Sequence, residues 1–212
     1  MFKNLISIVF TLILVSCGEI IQPSLDTFKV EKDVFESGKS LISLPFDLHD
    51  LEEVTVDQNT LLIGVHGSNS RGYEWIYPLQ TLNNDDNMVA FFRWDDDACP
   101  APSVNSLLSL IEKKISDNPN LNKIILLGHS YGGLLVVAFA ETWEMDFPLQ
   151  IHSIAAPLAG MGIFTSICNY EVPNSLRDNI ELHQWRTIKE LDGAFSNLDY
   201  DPQVVKILKS KV

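Results

Sequence analysis

Lys123 to Val137 reads KIILLGHSYGGLLVV, and the architecture turns on this stretch. KIILL is a short apolar run, which predicts a buried strand over Lys123–Leu127. The apolar run that begins at Tyr131 predicts a helix reaching about Met145. Only Gly128, His129 and Ser130 separate the two. In so sharp a turn the flanking positions face one another, so Gly128 and Gly132 stand where side chains would collide. Gly133 extends the clearance and lets the helix lie close to the sheet. The Ser130 hydroxyl is thereby raised at a helix amino terminus, where backbone N–H groups favour developing negative charge.

Outward from this corner, apolar runs alternate with helix-length segments. TLLIGV (60–65), MVAFFRW (88–94), LQIHSIA (149–155) and ELHQWRTI (181–188) predict further strands, and 73–83 and 103–116 predict helices. In the latter, Leu107, Leu108, Leu110 and Ile111 form one face and Glu112, Lys113 and Lys114 the other. Strands alternating with helices of this length mean βαβ units and a mostly parallel sheet, an α/β fold.

The 212 residues are 46% hydrophobic and 20% charged, an ordinary globular composition. Fifteen basic against 28 acidic residues give a net charge of −13. Nucleic-acid binding wants a basic footprint, so no nucleic-acid partner is expected. The same charge argues against electrostatic attachment to anionic lipid.

A second element accompanies the corner. Leu61 to Trp75 reads LLIGVHGSNSRGYEW, a buried strand delivering His66-Gly67 into a polar loop. Together, GHSYGG between strand and helix and the upstream His-Gly pair resemble the lipase- and esterase-like members of the α/β-hydrolase family, from about Thr60 onward. The resemblance implies an α/β-hydrolase fold and a serine hydrolase acting on carboxylic esters through an acyl-enzyme on Ser130. His66 and Gly67 would open the oxyanion loop, and the backbone N–H groups of Ser68 and Tyr131 would be the two oxyanion donors. The substrate would be a small-molecule ester or a lipid, and no metal or organic cofactor is implied.

Family order is nucleophile, acid, histidine. Asp192, in an Asp-Gly turn beyond a late strand, looks like the acid, with Asp199 and Asp201 as fallbacks. The five histidines are His49, His66, His129, His152 and His183, and none follows Asp192. His129 at the corner is expected to point away from Ser130, and His152 to be a core imidazole. After Asp192 the residues predict one helix, Pro202 to Lys211, whereas relatives carry another strand, a histidine-bearing loop and a closing helix. The chain therefore reads as a carboxy-terminally incomplete hydrolase domain, with Asp192 set to orient a histidine beyond residue 212. The competing reading is a non-catalytic surface lipoprotein that keeps the fold for binding.

The amino terminus bears on where the protein resides. Lys3 precedes an apolar run from Leu5 to Val15 that is too short to span a bilayer, as in a secretory signal peptide. Leu14-Val15-Ser16-Cys17 resembles the lipobox of bacterial lipoproteins, which implies cleavage before Cys17 and acylation there. Residues 1–16 would be the signal peptide, 17–40 a tether and 41–212 the domain. The expected location is the bacterial cell envelope, anchored to a membrane by lipid. The alternative is a buried amino-terminal segment with an incidental cysteine. In an oxidising compartment Cys99 and Cys168 suggest a disulfide, with two buried free thiols as the alternative. Asp95-Asp96-Asp97, ending a strand, reads as a solvated acidic loop, and the 158–179 connection as a lid, an acyl-binding wall or ordinary packing.

Overall fold

Apolar runs and alternating polarity place the strands, and the computed structural model, which describes residues 24–162 and 166–211, shows how. Seven strands form one sheet in the order β1-β3-β2-β4-β5-β6-β7. They are β1 (Asp47–Asp50), β2 (Thr60–Val65), β3 (Asn87–Arg93), β4 (Lys123–His129), β5 (Leu149–Ile154), β6 (Ile180–Trp185) and β7 (Ser210–Lys211). β1 runs antiparallel to β3, and every other pairing is parallel. The longer helices among the described residues are α1 (Val34–Ile42), α2 (Tyr73–Leu82), α3 (Pro100–Asp117) and α4 (Tyr131–Thr142).

The period of two sorts the apolar side chains cleanly between faces. Leu61, Ile63, Met88, Ala90, Ile124, Leu126, Leu149, Ile151 and Leu182 turn towards α3 and α4. Leu62, Val89, Phe91 and Leu127 turn towards α1 and α2. β2 is buried at all six positions because helices cover it on both sides, the usual condition of a parallel strand. α4 lies against β4, β5 and α3 with Leu134, Leu135, Val136, Val137 and Phe139 all fully buried. That explains why its sequence is apolar around the whole circumference rather than along one stripe.

β5 and β6 instead alternate buried and half-exposed. Their second face floors a groove of about 660 Å³ walled by α2, with Trp75, Pro78, Leu82, Ile125, Leu127, Ile154 and Trp185 among its lining. His152 is on this floor rather than in the core. It stacks on His183 at 4.8 Å and accepts from the Trp185 indole N–H at 3.0 Å. Burial and the neighbouring His183 lower its pKa to about 4.

Two segments correct the sequence reading. The part of the expected tether that is described, residues 24–40, is part of the fold. Leu25, Phe28 and Leu41 are buried, and the Gln80 side chain of α2 donates to the carbonyls of Leu25 and Phe28 at 2.7 and 3.0 Å. α1 hid from the sequence because Gly38 at its centre is a poor helix former. Its reason is packing: a Cβ there would collide with the backbone of Tyr73 and Arg71.

The expected helix over 202–211 is instead extended chain ending in β7. Gln203, 1% exposed, accepts from the Thr187 N–H at 2.9 Å and donates to the Thr187 carbonyl at 3.2 Å. Ala159 donates to the Pro202 carbonyl at 2.8 Å. These tertiary bonds hold the segment beside the exit of β6 and displace the local helical preference. The signal peptide and Cys17 lie outside the described residues. No helix among the described residues is long and apolar enough to cross a membrane.

Candidate active site

The corner between β4 and α4 is built as tightly as its glycines suggest. Ser130 has φ 54° and ψ −119°, in the left-handed region that side-chain-bearing residues rarely occupy. Its N–H donates to the Ile154 carbonyl at 2.8 Å, tying the exit of β4 to that of β5. One position further on, Ala155 N–H donates to the Trp185 carbonyl at 2.8 Å, tying β5 to β6. The carboxyl ends of three neighbouring strands are thus locked into one edge. A Cβ on Gly128 would strike Gly132 and Gly133, and one on Gly132 would strike the carbonyl oxygens of Val65 and His66. α4 therefore starts directly against the end of β2.

That contact brings the His-Gly loop to the serine. A Cβ on Gly67 would stand 2.9 Å from the His129 carbonyl oxygen and 3.0 Å from the Ser130 Cβ. Ser68 follows at the exposed start of the turn, and Ser130 is half-buried beside it. The Tyr131 N–H sits at the first position of α4, the positive end of the helix. Tyr131 is also held from the other side. Its hydroxyl donates to the Ala98 carbonyl at 2.7 Å and its ring meets Trp94 edge-on at 4.8 Å. Burial raises its pKa to about 12.

His66 is fully buried. Nδ1 is 2.9 Å from the Gly67 carbonyl, Nε2 is 2.6 Å from Nη1 of Arg93, and the Trp94 N–H donates to Nε2 at 3.3 Å. Burial above all, with the adjacent Arg93 charge, lowers its pKa to about 4. The ring is thus a neutral structural imidazole, as a loop-holding role requires.

Asp192 follows β6 on the same edge, close enough for its charge to act on His129. Its Oδ2 accepts from the Thr187 hydroxyl at 2.6 Å and its Oδ1 from the Ala194 N–H at 2.9 Å. Asp201 instead accepts from the Gln203 N–H at 3.0 Å and closes its own turn. None of the described histidines is hydrogen-bonded to Asp192 or Ser130. His129 lines the α2 groove, its pKa lowered by burial. His183 is paired in register with His152 in mid-sheet, and His49 on β1 is bonded to the Pro45 carbonyl at 2.8 Å.

Cys99, just before α3, is joined to Cys168 in a disulfide that ties the 158–179 connection to the same rim. The site also contains residues to which the sequence reading gives no part in it, Asp96 among them as a member of a solvated acidic loop. Arg93, Trp94 and Asp96, at the end of β3, all bond to the His66–Asn69 loop. Their only signal was position, since residues leaving a strand next to β2 must emerge beside whatever β2 delivers.

No protein-family model and no curated protein sequence matches the chain. Among solved structures, Est1E from Butyrivibrio proteoclasticus is similar at 14% identity over 76% of this chain and 81% of that one, with a TM-score of 0.50. A member of the α/β serine hydrolases without a lid, from Xanthomonas campestris, is similar at 16% identity over 77% and 78%, with a TM-score of 0.47. A lipase-esterase related protein from Clostridium acetobutylicum aligns at 16% identity over 51% of this chain, with a TM-score of 0.40. The chain spans about half the length of that protein, 46%. The chain has the α/β-hydrolase fold. At such identities the likeness speaks for the fold alone.

Proposed function

We propose that this chain is the body of a serine hydrolase acting on carboxylic esters, with Ser130 as nucleophile. The observation that carries the reading is the Ser130 corner: a serine at φ 54° opening α4, with Gly67 packed against its Cβ. In the proposed reaction the Ser130 oxygen attacks the ester carbonyl. The N–H groups of Ser68 and Tyr131 would receive the oxyanion, the Ser130 proton would pass through the general base to the departing alcohol as the acyl-enzyme forms, and water would then release the acid and restore Ser130. Preorganised donors of this kind lower an acyl-transfer barrier by a few kcal/mol.

Asp192 would orient the general-base histidine. The lipobox-like Cys17 supports anchorage to a bacterial envelope membrane through acyl chains, with an ester or lipid as substrate.

The second reading is a non-catalytic surface lipoprotein that keeps the fold for binding. It is favoured by one observation, the absence of any described histidine bonded to Asp192 or Ser130. A fluorophosphonate probe separates the two. Labelling that disappears in Ser130→Ala supports the hydrolase, and a folded chain that takes no probe supports the binder.

A further inference from the structure

The end of β3 reaches across to the loop that carries Ser68 through three residues, Arg93, Trp94 and Asp96. Arg93 Nη1 donates to Nε2 of His66 at 2.6 Å. Trp94 brackets the same residue, its N–H donating to Nε2 at 3.3 Å and its indole N–H to the His66 carbonyl at 2.9 Å. Two residues on, Oδ2 of Asp96 accepts from the Asn69 N–H at 2.6 Å.

These partners determine the state of the histidine. Nε2 faces two donors and must carry the lone pair, so the ring proton is on Nδ1 and donates to the Gly67 carbonyl at 2.9 Å. In a planar trans peptide the C=O and the following N–H point in opposite directions. Fixing the Gly67 carbonyl from one side therefore aims the Ser68 N–H to the other. Asp96 fixes the next peptide, and with it Asn69 at φ 53°, a left-handed conformation that a non-glycine residue keeps only when it is held. A carboxylate this near a forming oxyanion would oppose it, and the Arg93 guanidinium, which interacts with Asp96, offsets that charge.

We propose that Arg93 and Asp96 are positioning residues for the oxyanion loop: Arg93 acts through His66 on the peptide that presents the Ser68 N–H, and Asp96 locks the peptide that follows. The proposal rests on the hydrolase reading for its catalytic meaning, but the anchoring itself is measurable without turnover.

The test uses Asp96→Ala, Asp96→Asn and Arg93→Gln in the full chain, with the thermal midpoint checked for each. In Asp96→Ala the amide of Asn69 should exchange with solvent at least about tenfold faster. Asp96→Asn, which keeps an acceptor oxygen, should stay near wild type. In Arg93→Gln the two ring ¹⁵N shifts of His66 should converge as the single Nδ1–H tautomer gives way to a mixture. If the wild type turns over an ester, kcat should fall about 10- to 100-fold in Asp96→Ala with KM within about twofold, and Asp96→Asn should restore it. Unchanged exchange in a folded Asp96→Ala overturns the proposal. So does faster exchange with kcat unmoved in a protein that labels at Ser130. A wild-type chain that takes no fluorophosphonate sinks the hydrolase reading instead, and the exchange arm then decides the anchoring alone.

Discussion

Gly67 and Ser130 are packed so closely that a methyl group on the first would stand 3.0 Å from the Cβ of the second. Gly67→Ala should therefore push the loop off the serine. The expected result is at least about a tenfold loss of fluorophosphonate labelling rate, with a small loss of stability, because a displaced donor fails to meet the oxyanion. Labelling at the wild-type rate would show that the loop does not serve Ser130.

Gly132→Ala should be worse for the fold than for the chemistry. Its Cβ would run into two backbone carbonyls of β2's exit, Val65 and His66, and backbone cannot swing aside like a side chain. A loss of about 2–3 kcal/mol in urea unfolding is expected. Gly193→Ala is the control. Nothing lies within 4 Å of its Cβ position, so stability should change by less than about 0.5 kcal/mol.

How far the sequence is legible depends on whether an element is set by its own residues. Strand β2 and helix α4 announce themselves because burial on all sides demands unbroken apolar runs. The Ser130 corner is legible because a strand passing into a helix through the single residue Ser130 leaves glycine little alternative at 128 and 132. α1 is not, since Gly38 serves a neighbour in α2 rather than its own helix. The 202–211 segment misleads for a related reason: Gln203 belongs to the backbone of Thr187, a partner that no local pattern reveals. The acidic run 95–97 looks like solvated loop, and only the bond from Asn69 gives Asp96 a task.

Stability should fall as the solution is acidified from pH 7 towards 4. His66 is held neutral when folded, its pKa near 4, but titrates near 6.5 when unfolded. The unfolded state therefore binds a proton that the native state refuses. The advantage of folding is complete above about pH 6.5 and declines as pH drops through that value towards 4. A His66→Gln variant, less stable at pH 7, should show a shallower decline over the same window. Parallel curves would place the acid sensitivity elsewhere.

Reducing the Cys99–Cys168 bridge should lower stability by about 2–4 kcal/mol, since it closes a loop across a sequence separation of 69. Comparing denaturant midpoints of the oxidised chain and a Cys99→Ala, Cys168→Ala double variant checks this.

Gln203→Leu removes both bonds that the buried Gln203 amide makes to the Thr187 backbone. A cost of about 1–3 kcal/mol is expected, together with faster amide exchange through 187–192, the turn that carries Asp192. An unchanged turn would mean that Asp192 is supported by Thr187 and Ala194 alone.

The backbone of Ser130 is held in tension: a side-chain-bearing residue kept at φ 54° costs on the order of 1–3 kcal/mol, which the surrounding packing must supply. Glycine would relax there. Ser130→Gly should consequently melt higher than the parent while losing every covalent reaction at that site, so that this molecule is sturdiest when disarmed.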